Sequence, residues 1–595
     1  MSISVRPAPK RSGRATSRRT TKPASQPRAA SRVTAEPKAS DRDERAASAV
    51  ASTDPVAIPS LGAVLGALGA ALAQGPSVAK ETVRFGAEVA RLVVGRSDVA
   101  PGPADRRFSD QAWTENPYFH RLLQLYLSWA RAVNGVVDDL ERSGADWHTV
   151  EQARFASSIL VSALAPTNTP WTNPAALKRA FDTGGRSVIR GLGNWIDDLR
   201  NNGGMPSTAD RGAFVVGRDL AVTPGAVVAR TELAEVIQYN PTTPNVRERP
   251  LLIVPPPIGR FYFLDLRPGR SFVEYAVSRG VQVFMLSWRN PTPEQGAWDM
   301  DAYASAILDS IAAVRQVSAS EDVNVIGFCA GGILSTTVLN HLAETGKQLV
   351  NSMSYAVTLL DFGVPAPIGA FASRPVLGVA RRSSKRKGII SAREMGSVFT
   401  WMRPDDLVFN YWVNNYLMGN RPPVFDILAW NADGTNLPAA LHEQFLDIFG
   451  NNDLCRPGGM SVLGSPLDLK RIKIPTFVTG GVTDHLTPWK GCYRTTQLLG
   501  GPSTFVLSNA GHIASLVNPP GNPKATYYRG GDPDPDPERW LEGASQMTGS
   551  WWEPWADWLS ERSGSERAAP TRLGSRSYPA REPAPGLYVR DAVPA

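Results

Sequence analysis

Six short apolar runs restrict the fold of this chain more than any other feature. PLLIVPPP, VQVFMLSW, VNVIGF, SYAVTLLDF, PTFVTGG and STFVLSNAG follow one another after about residue 225. Several are rich in Val and Ile, and they read as near-continuous apolar stretches. Such runs predict strands buried on both faces, as in a largely parallel sheet. Helix-length segments separate most of them, which implies an α/β architecture with helices on both sides of the sheet. One separation is different. Between TLLDF, ending at Phe362, and PTFVTGG, starting at Pro475, lie over a hundred residues. That far exceeds an ordinary connection, so a cap or lid over the sheet is expected at about 363–470.

The rest of the chain divides around this unit. Residues 55–205 read as helical: in PYFHRLLQLYLSWARAVNGVVDDL, Leu122, Leu125, Tyr126, Trp129, Val133, Val136, Val137 and Leu140 recur at three- and four-residue steps. The catalytic unit is expected over 206–562 and a C-terminal extension over 563–595. Residues 1–54 form a Ser/Ala/Pro/Arg tail that cannot bury a core and is expected to be disordered. Twelve Lys and Arg stand against four acids in the first fifty residues, so this tail holds the whole net charge of +8. The basicity therefore does not imply nucleic acid as a partner, beyond weak contacts of the tail. Three cysteines exclude a disulfide scaffold and suit a reducing cytoplasm. Ile58–Ala73 is too short to span a bilayer and is expected to pack on the domain.

VNVIGFCAGGI ends a strand in G-x-C-x-G and feeds a helix, the nucleophile-elbow pattern with sulfur in place of oxygen. Glycines at 327 and 331 permit the tight turn, because a Cβ there would crowd the neighbouring backbone. The turn presents Cys329 at the carboxyl edge of the sheet. It also aims the N–H of Ala330 where an oxyanion would form.

An elbow enzyme places its acid and then its histidine after the nucleophile. Of six histidines, His120 and His148 precede the sheet, His341 lies on the helix behind the elbow and His442 falls in the cap. His512, in the loop after a late strand, fits the general base. Asp484, at a strand end, fits the orienting acid. His485, beside Asp484, is the rival base and reads better as a residue of the surrounding shell. No zinc-ligand spacing, Walker loop or calcium pattern is present, so no metal is expected. The tryptophans of SWWEPWADWL stand at helical spacing and are expected in the core. The basic run RRSSKRK is either a phosphate-steering patch or a solvated loop.

Sulfur at the elbow says something about the reaction. An acyl-cysteine is a thioester, close in energy to an acyl-CoA, so transfer between them is reversible and the acyl group stays activated for an alcohol. The elbow thus points to an acyltransferase. A cysteine-type thioesterase or hydrolase is the alternative enzyme, and a structural protein with a vestigial site is the non-enzymatic one.

DRRFSDQAWTENPYFHRLLQLYL, APTNTPWTNPAALKRAF, GFCAGG, TLLDF, FNYWVNNYLMGN, DHLTPW and GHIASLVNPPGNPK occur in this order. In these blocks the chain resembles the polyhydroxyalkanoate synthases, single-subunit enzymes of class I/II type. The resemblance implies an α/β-hydrolase fold. It implies polymerisation of (R)-3-hydroxyacyl-CoA with release of CoA, through Cys329, Asp484 and His512, with an oxyanion held by backbone N–H groups of Ala330 and the loop near Ile258. CoA thioester is then the substrate, and no resident cofactor is expected. The growing polyester, a polymer granule surface in the cytoplasm and a second copy in a homodimer are the implied partners. In this family the cap, which here holds Trp430, helps form the dimer and occludes the site. The family usually reads Asn-Lys where this chain has Gly259 and Arg260. Thr358 and Ala514 look like short-chain synthases while the C-terminal tail resembles the medium-chain branch, so a short-to-medium substrate range is expected.

Overall fold

The computed structural model describes residues 69, 75–103, 105–210 and 212–591. The basic tail expected over 1–54 lies outside them, as does Ile58–Ala73 apart from Gly69.

The first described elements are helices: α1 (Gly75–Val93), α2 (Pro117–Arg142), α3 (Trp147–Ala163), α4 (Pro174–Asp182) and α5 (Arg186–Asn201). Asn116 caps α2 by accepting from the Tyr118 and Phe119 N–H groups, and Pro117 fills the first position, where no donor is needed. The apolar repeat predicted this helix, but its buried stripe is rotated: Leu123, Tyr126, Val137 and Leu140 point inward while Leu125 is exposed.

Ten strands build the central sheet. They are β1 (Gly225–Arg230), β2 (Ala234–Tyr239), β3 (Leu251–Val254), β4 (Val283–Trp288) and β5 (Val323–Phe328). The other five are β6 (Val350–Ala356), β7 (Thr476–Gly481), β8 (Ser503–Ser508), β9 (Thr526–Arg529) and β10 (Ser545–Thr548). Their spatial order is β1-β2-β4-β3-β5-β6-β7-β8-β9-β10. β3 to β8 are mutually parallel; five of them fall within the apolar runs, while β6 begins before its run and shares only Ser354–Ala356 with SYAVTLLDF. β1–β2 and β9–β10 extend the two sides antiparallel.

Residues of the central strands divide by alternation between two cores. Leu252, Val254, Phe284, Leu286 and Val325 join one core with α6 (Met300–Ser318) and α7 (Ala330–Glu344). Leu251, Ile253, Met285, Ile326 and Phe328 join the other. There Trp551, Trp552, Trp555 and Trp558 are buried as expected, with the Phe272 ring 4.6 Å from that of Trp555.

Residues after 562 return to the sheet. The Arg581 N–H donates to the Val227 carbonyl at 2.8 Å and the Val227 N–H donates to the Glu582 carbonyl at 2.9 Å, which pairs the outer edge of β1. Glu566–Ala568 pairs with Asn245–Arg247.

The long insertion between β6 and β7 is mostly helical, including α8 (Arg374–Lys387), two π-helical turns at Asp405–Phe409 and Trp412–Leu417, and α9 (Ala439–Asn451). Arg381 pairs with Glu443 and Asp447, and Lys387 with Glu394, so acids of the cap itself engage these two cations of the basic run. The N-terminal helices pack on this insertion. The Phe155 and Phe371 rings stand 5.0 Å apart, and Trp412 donates to the Asn168 carbonyl at 3.0 Å.

Candidate active site

Cys329 joins β5 to α7 with φ +49° and ψ −123°, a conformation non-glycine residues rarely adopt. It costs on the order of 1–3 kcal/mol and persists because its surroundings impose it. The Cys329 N–H donates to the Ala356 carbonyl at 2.9 Å. Its carbonyl accepts from the Gly332 N–H at 2.9 Å and the Thr358 hydroxyl at 3.1 Å. A Cβ on Gly327 would lie 2.5 Å from the Gly332 Cα, and one on Gly331 would overlap the Val254 and Pro255 carbonyl oxygens. Gly332, which sequence reasoning passed over, is also required: a Cβ there would overlap the Thr358 side chain. Ala330 is the first residue of α7, so its N–H has no acceptor within the helix and lies beside the sulfur-bearing residue.

Asp484 follows β7, and His512 opens the short helix His512–Leu516 after β8. The His512 Nδ1 lies 2.7 Å from the Asp484 Oδ2, and both residues are buried. A carboxylate acceptor fixes the proton on Nδ1 and leaves Nε2 for the sulfur. Asp484 is fully engaged. Its Oδ1 accepts from the N–H groups of Leu486 and Thr487, both at 2.9 Å, and its Oδ2 also accepts from the Thr487 hydroxyl at 2.8 Å. Thr487 was missed in the sequence, although an acid followed three residues later by Thr is a side-chain turn pattern.

The electrostatics follow from this packing. Burial works against the Asp484 charge, but His512 and the hydrogen bonds outweigh it and hold the carboxyl below its usual range. Burial likewise works against a charged His512. The Asp484 carboxylate reverses that, with a further contribution from Cys329, and raises the imidazole well above its usual range. Cys329 is thus close enough to His512 to act on its charge.

His485 is half-buried. Burial, then Arg403 of the cap, lowers it to about 4, so it is neutral at pH 7. Cys492 is fully buried, its sulfur donating to the Thr487 carbonyl at 3.4 Å, and burial pushes its thiol well up. Burial and Asp361 push the Cys455 thiol up to about 12. Thr358 lies beneath the elbow, its hydroxyl directed to backbone carbonyls, so it supports Cys329 from below. Ala514 lies on the exposed face of its helix while His512, Ser515 and Leu516 are buried.

Ile258 is half-buried in the loop after β3, the loop whose Pro255 carbonyl abuts Gly331. The cap fastens this loop. The Thr435 hydroxyl accepts from the Gly259 N–H at 2.7 Å and donates to the Pro257 carbonyl at 3.0 Å. Trp430 donates from its indole to the Arg260 carbonyl at 2.7 Å. Gly259 has φ +89°, and a Cβ on it would sit 3.1 Å from the Trp430 ring, so glycine is demanded twice. Arg260 is buried. It donates to the Tyr588 carbonyl at 3.0 Å and to the Asp591 carbonyl, and lies 3.5 Å from the Asp433 carboxylate. The Gly-Arg pair therefore joins the oxyanion loop, the cap and the C-terminal residues. Among the described residues, no cluster of His, Cys, Asp and Glu is placed to hold a metal ion.

Residues 104–276 match the model of the poly-beta-hydroxybutyrate polymerase (PhaC) N-terminus, and residues 268–519 that of the alpha/beta hydrolase fold. The chain is 45% identical over 513 residues to poly(3-hydroxyalkanoate) polymerase 1 of Ectopseudomonas oleovorans, covering 86% of this chain and 91% of the relative. It is 39% identical over 500 residues to the poly(3-hydroxyalkanoate) polymerase subunit PhaC of Cupriavidus necator, covering 82% and 84%. The chain therefore belongs to the poly(3-hydroxyalkanoate) polymerases and is an acyltransferase on the α/β-hydrolase fold.

Proposed function

We propose that this polymerase extends its polyester from (R)-3-hydroxyacyl-CoA through a thioester on Cys329. One observation carries the reading: a strained Cys329 faces the buried His512–Asp484 pair. His512 Nε2 takes the Cys329 proton, and the sulfur attacks the acyl carbonyl. The resulting oxyanion is held by the Ala330 N–H and the loop at Ile258. Collapse expels the CoA thiolate, which receives the proton from His512. A 3-hydroxyl group then gives its proton to His512 and attacks the Cys329 thioester. The chain lengthens by one ester and the cysteine thiol is restored. Asp484 has both oxygens occupied, which supports an orienting role and leaves no free oxygen for the hydroxyl. These steps draw on side chains and backbone alone.

The finer reading is a short-to-medium substrate range, a homodimer, and work at a polymer granule surface in the cytoplasm. The test compares CoA release from (R)-3-hydroxybutyryl-CoA and (R)-3-hydroxyoctanoyl-CoA by wild type and Cys329→Ala, with product weighed as polymer or free acid. Polymer that disappears with Cys329 is the expected result. Free acid would assign a thioesterase, and turnover that survives Cys329→Ala would overturn the thioester route.

A further inference from the structure

The loop after β3 is poor in hydrogen-bond donors. Pro255, Pro256 and Pro257 have no N–H, and the Gly259 N–H is taken by the Thr435 hydroxyl at 2.7 Å. Within residues 255–259 that leaves the Ile258 N–H, and among the described residues no protein group accepts from it. The loop lies against the elbow, since a Cβ on Gly331 would overlap the Pro255 carbonyl. It therefore has one donor to offer a reacting carbonyl beside Cys329, and the worth of that donor depends on how firmly it is aimed.

Two residues from elsewhere in the fold fix it. The Trp288 indole, at the end of β4, donates to the Pro255 carbonyl at 2.8 Å. Thr435 of the cap makes two bonds with one hydroxyl: it accepts from the Gly259 N–H and donates to the Pro257 carbonyl at 3.0 Å. Pro257 and Gly259 stand on either side of Ile258, so one buried oxygen brackets the residue that carries the free N–H. A hydroxyl has a single proton, and here Pro257 takes it, which leaves Thr435 nothing to donate to a substrate. Thr435 is itself held in place. Its neighbour Asn436 donates from the backbone to the Asn290 side chain at 2.9 Å and from its amide to the Pro291 carbonyl at 3.0 Å, both in the loop after β4. We propose that Thr435 is a positioning residue of the cap, which aims the Ile258 N–H at the oxyanion formed when Cys329 attacks the acyl carbonyl. This rests on the thioester reading of the site. It gives the cap a part in the chemistry, because the donor is in place only while Thr435 sits between Pro257 and Gly259.

The test uses the full chain. Thr435→Val and the smaller Thr435→Ala remove both bonds, and Thr435→Ser keeps them. Acylation of Cys329 by (R)-3-hydroxybutyryl-CoA in a single turnover, followed by intact mass, passes through an oxyanion. Alkylation of Cys329 by iodoacetamide displaces iodide from a saturated carbon and forms none, so it reads the thiolate and His512 without the oxyanion donors. Values of kcat and KM for CoA release are measured alongside. In Thr435→Val and Thr435→Ala, acylation and kcat should fall at least about tenfold, short of the roughly 10²–10³-fold that loss of a whole oxyanion donor costs. KM and the alkylation rate should stay unchanged, and Thr435→Ser should recover most of the lost rate. Wild-type acylation by both hydroxyl-free variants would overturn the proposal. So would an equal fall of acylation and alkylation in both, which assigns Thr435 to structure alone, or no recovery in Thr435→Ser. Wild type that gives no acyl adduct on Cys329 would refute the thioester reading itself, whatever the variants do.

Discussion

Replacing Asp484 by Asn tests the core of the proposed chemistry, and the geometry sets its size. The Oδ1 and its two 2.9 Å bonds from Leu486 and Thr487 are retained. The Oδ2, which lies 2.7 Å from His512 Nδ1, becomes an NH2 group facing a ring N–H. Two donors cannot share that contact. The ring therefore moves its proton to Nε2, the atom that must accept the Cys329 proton. The wrong tautomer in such a triad lowers turnover about 10⁴-fold, or about 5.4 kcal/mol. The pH profile should change as well. In wild type the Asp484 carboxylate raises His512 against the effect of burial. Without that charge, burial governs and the imidazolium is lost at lower pH, so the basic limb of the rate profile moves down. CoA release followed by thioester absorbance from pH 6 to 10 measures both effects. Mass analysis of the acylated Cys329 after a single turnover separates acylation from elongation. A loss below tenfold with an unshifted profile would refute the orienting role. Normal acylation with blocked elongation would instead assign Asp484 to the hydroxyl.

Folding stability should carry the same signature. His512, raised from 6.5 to about 10, contributes stability that is full below pH 6.5 and fades as pH rises through about 10. Urea midpoints of wild type should therefore approach those of His512→Gln between pH 7 and 10, and a constant gap would contradict the raised value. Gly332→Ala should destabilise by about 1–3 kcal/mol through overpacking against Thr358, read as a lower thermal midpoint and partly recovered by adding Thr358→Ala. Arg260→Met removes charged hydrogen bonds to the Tyr588 and Asp591 carbonyls and should cost about 1.5–3 kcal/mol. Limited proteolysis should then open residues 581–591 first, and an unchanged cleavage pattern would argue against the tie. Iodoacetamide at pH 7 should label Cys329 in the folded protein and spare Cys455 and Cys492, whose thiols burial pushes up. Equal labelling of all three would contradict that burial.

What the sequence by itself determined is the part written in local patterns. Five of the six parallel strands were legible because burial on both faces demands unbroken apolar runs, and the elbow because its turn demands glycines around Cys329. The sixth, Val350–Ala356, is interrupted by Asn351, Ser352 and Ser354. Asp484 and His512 were legible because chain order and strand ends restrict where an acid and a base can stand. Thr526–Arg529 and Ser545–Thr548 carry no such pattern, since these two strands are only partly buried, and Ala234–Tyr239, though buried throughout, interrupts its apolar residues with Glu235 and Gln238. Tertiary structure alone decided the rest. That Arg260 meets Tyr588 and Asp591 is a contact over more than three hundred residues, invisible to any local spacing. The need for Gly332 comes from Thr358, which arrives from the next strand. Helix α5 is the sharpest case. Its periodicity reads as an ordinary amphipathic helix in either orientation, and only the fit of Gly191 against the Tyr416 backbone turns the apolar face outward.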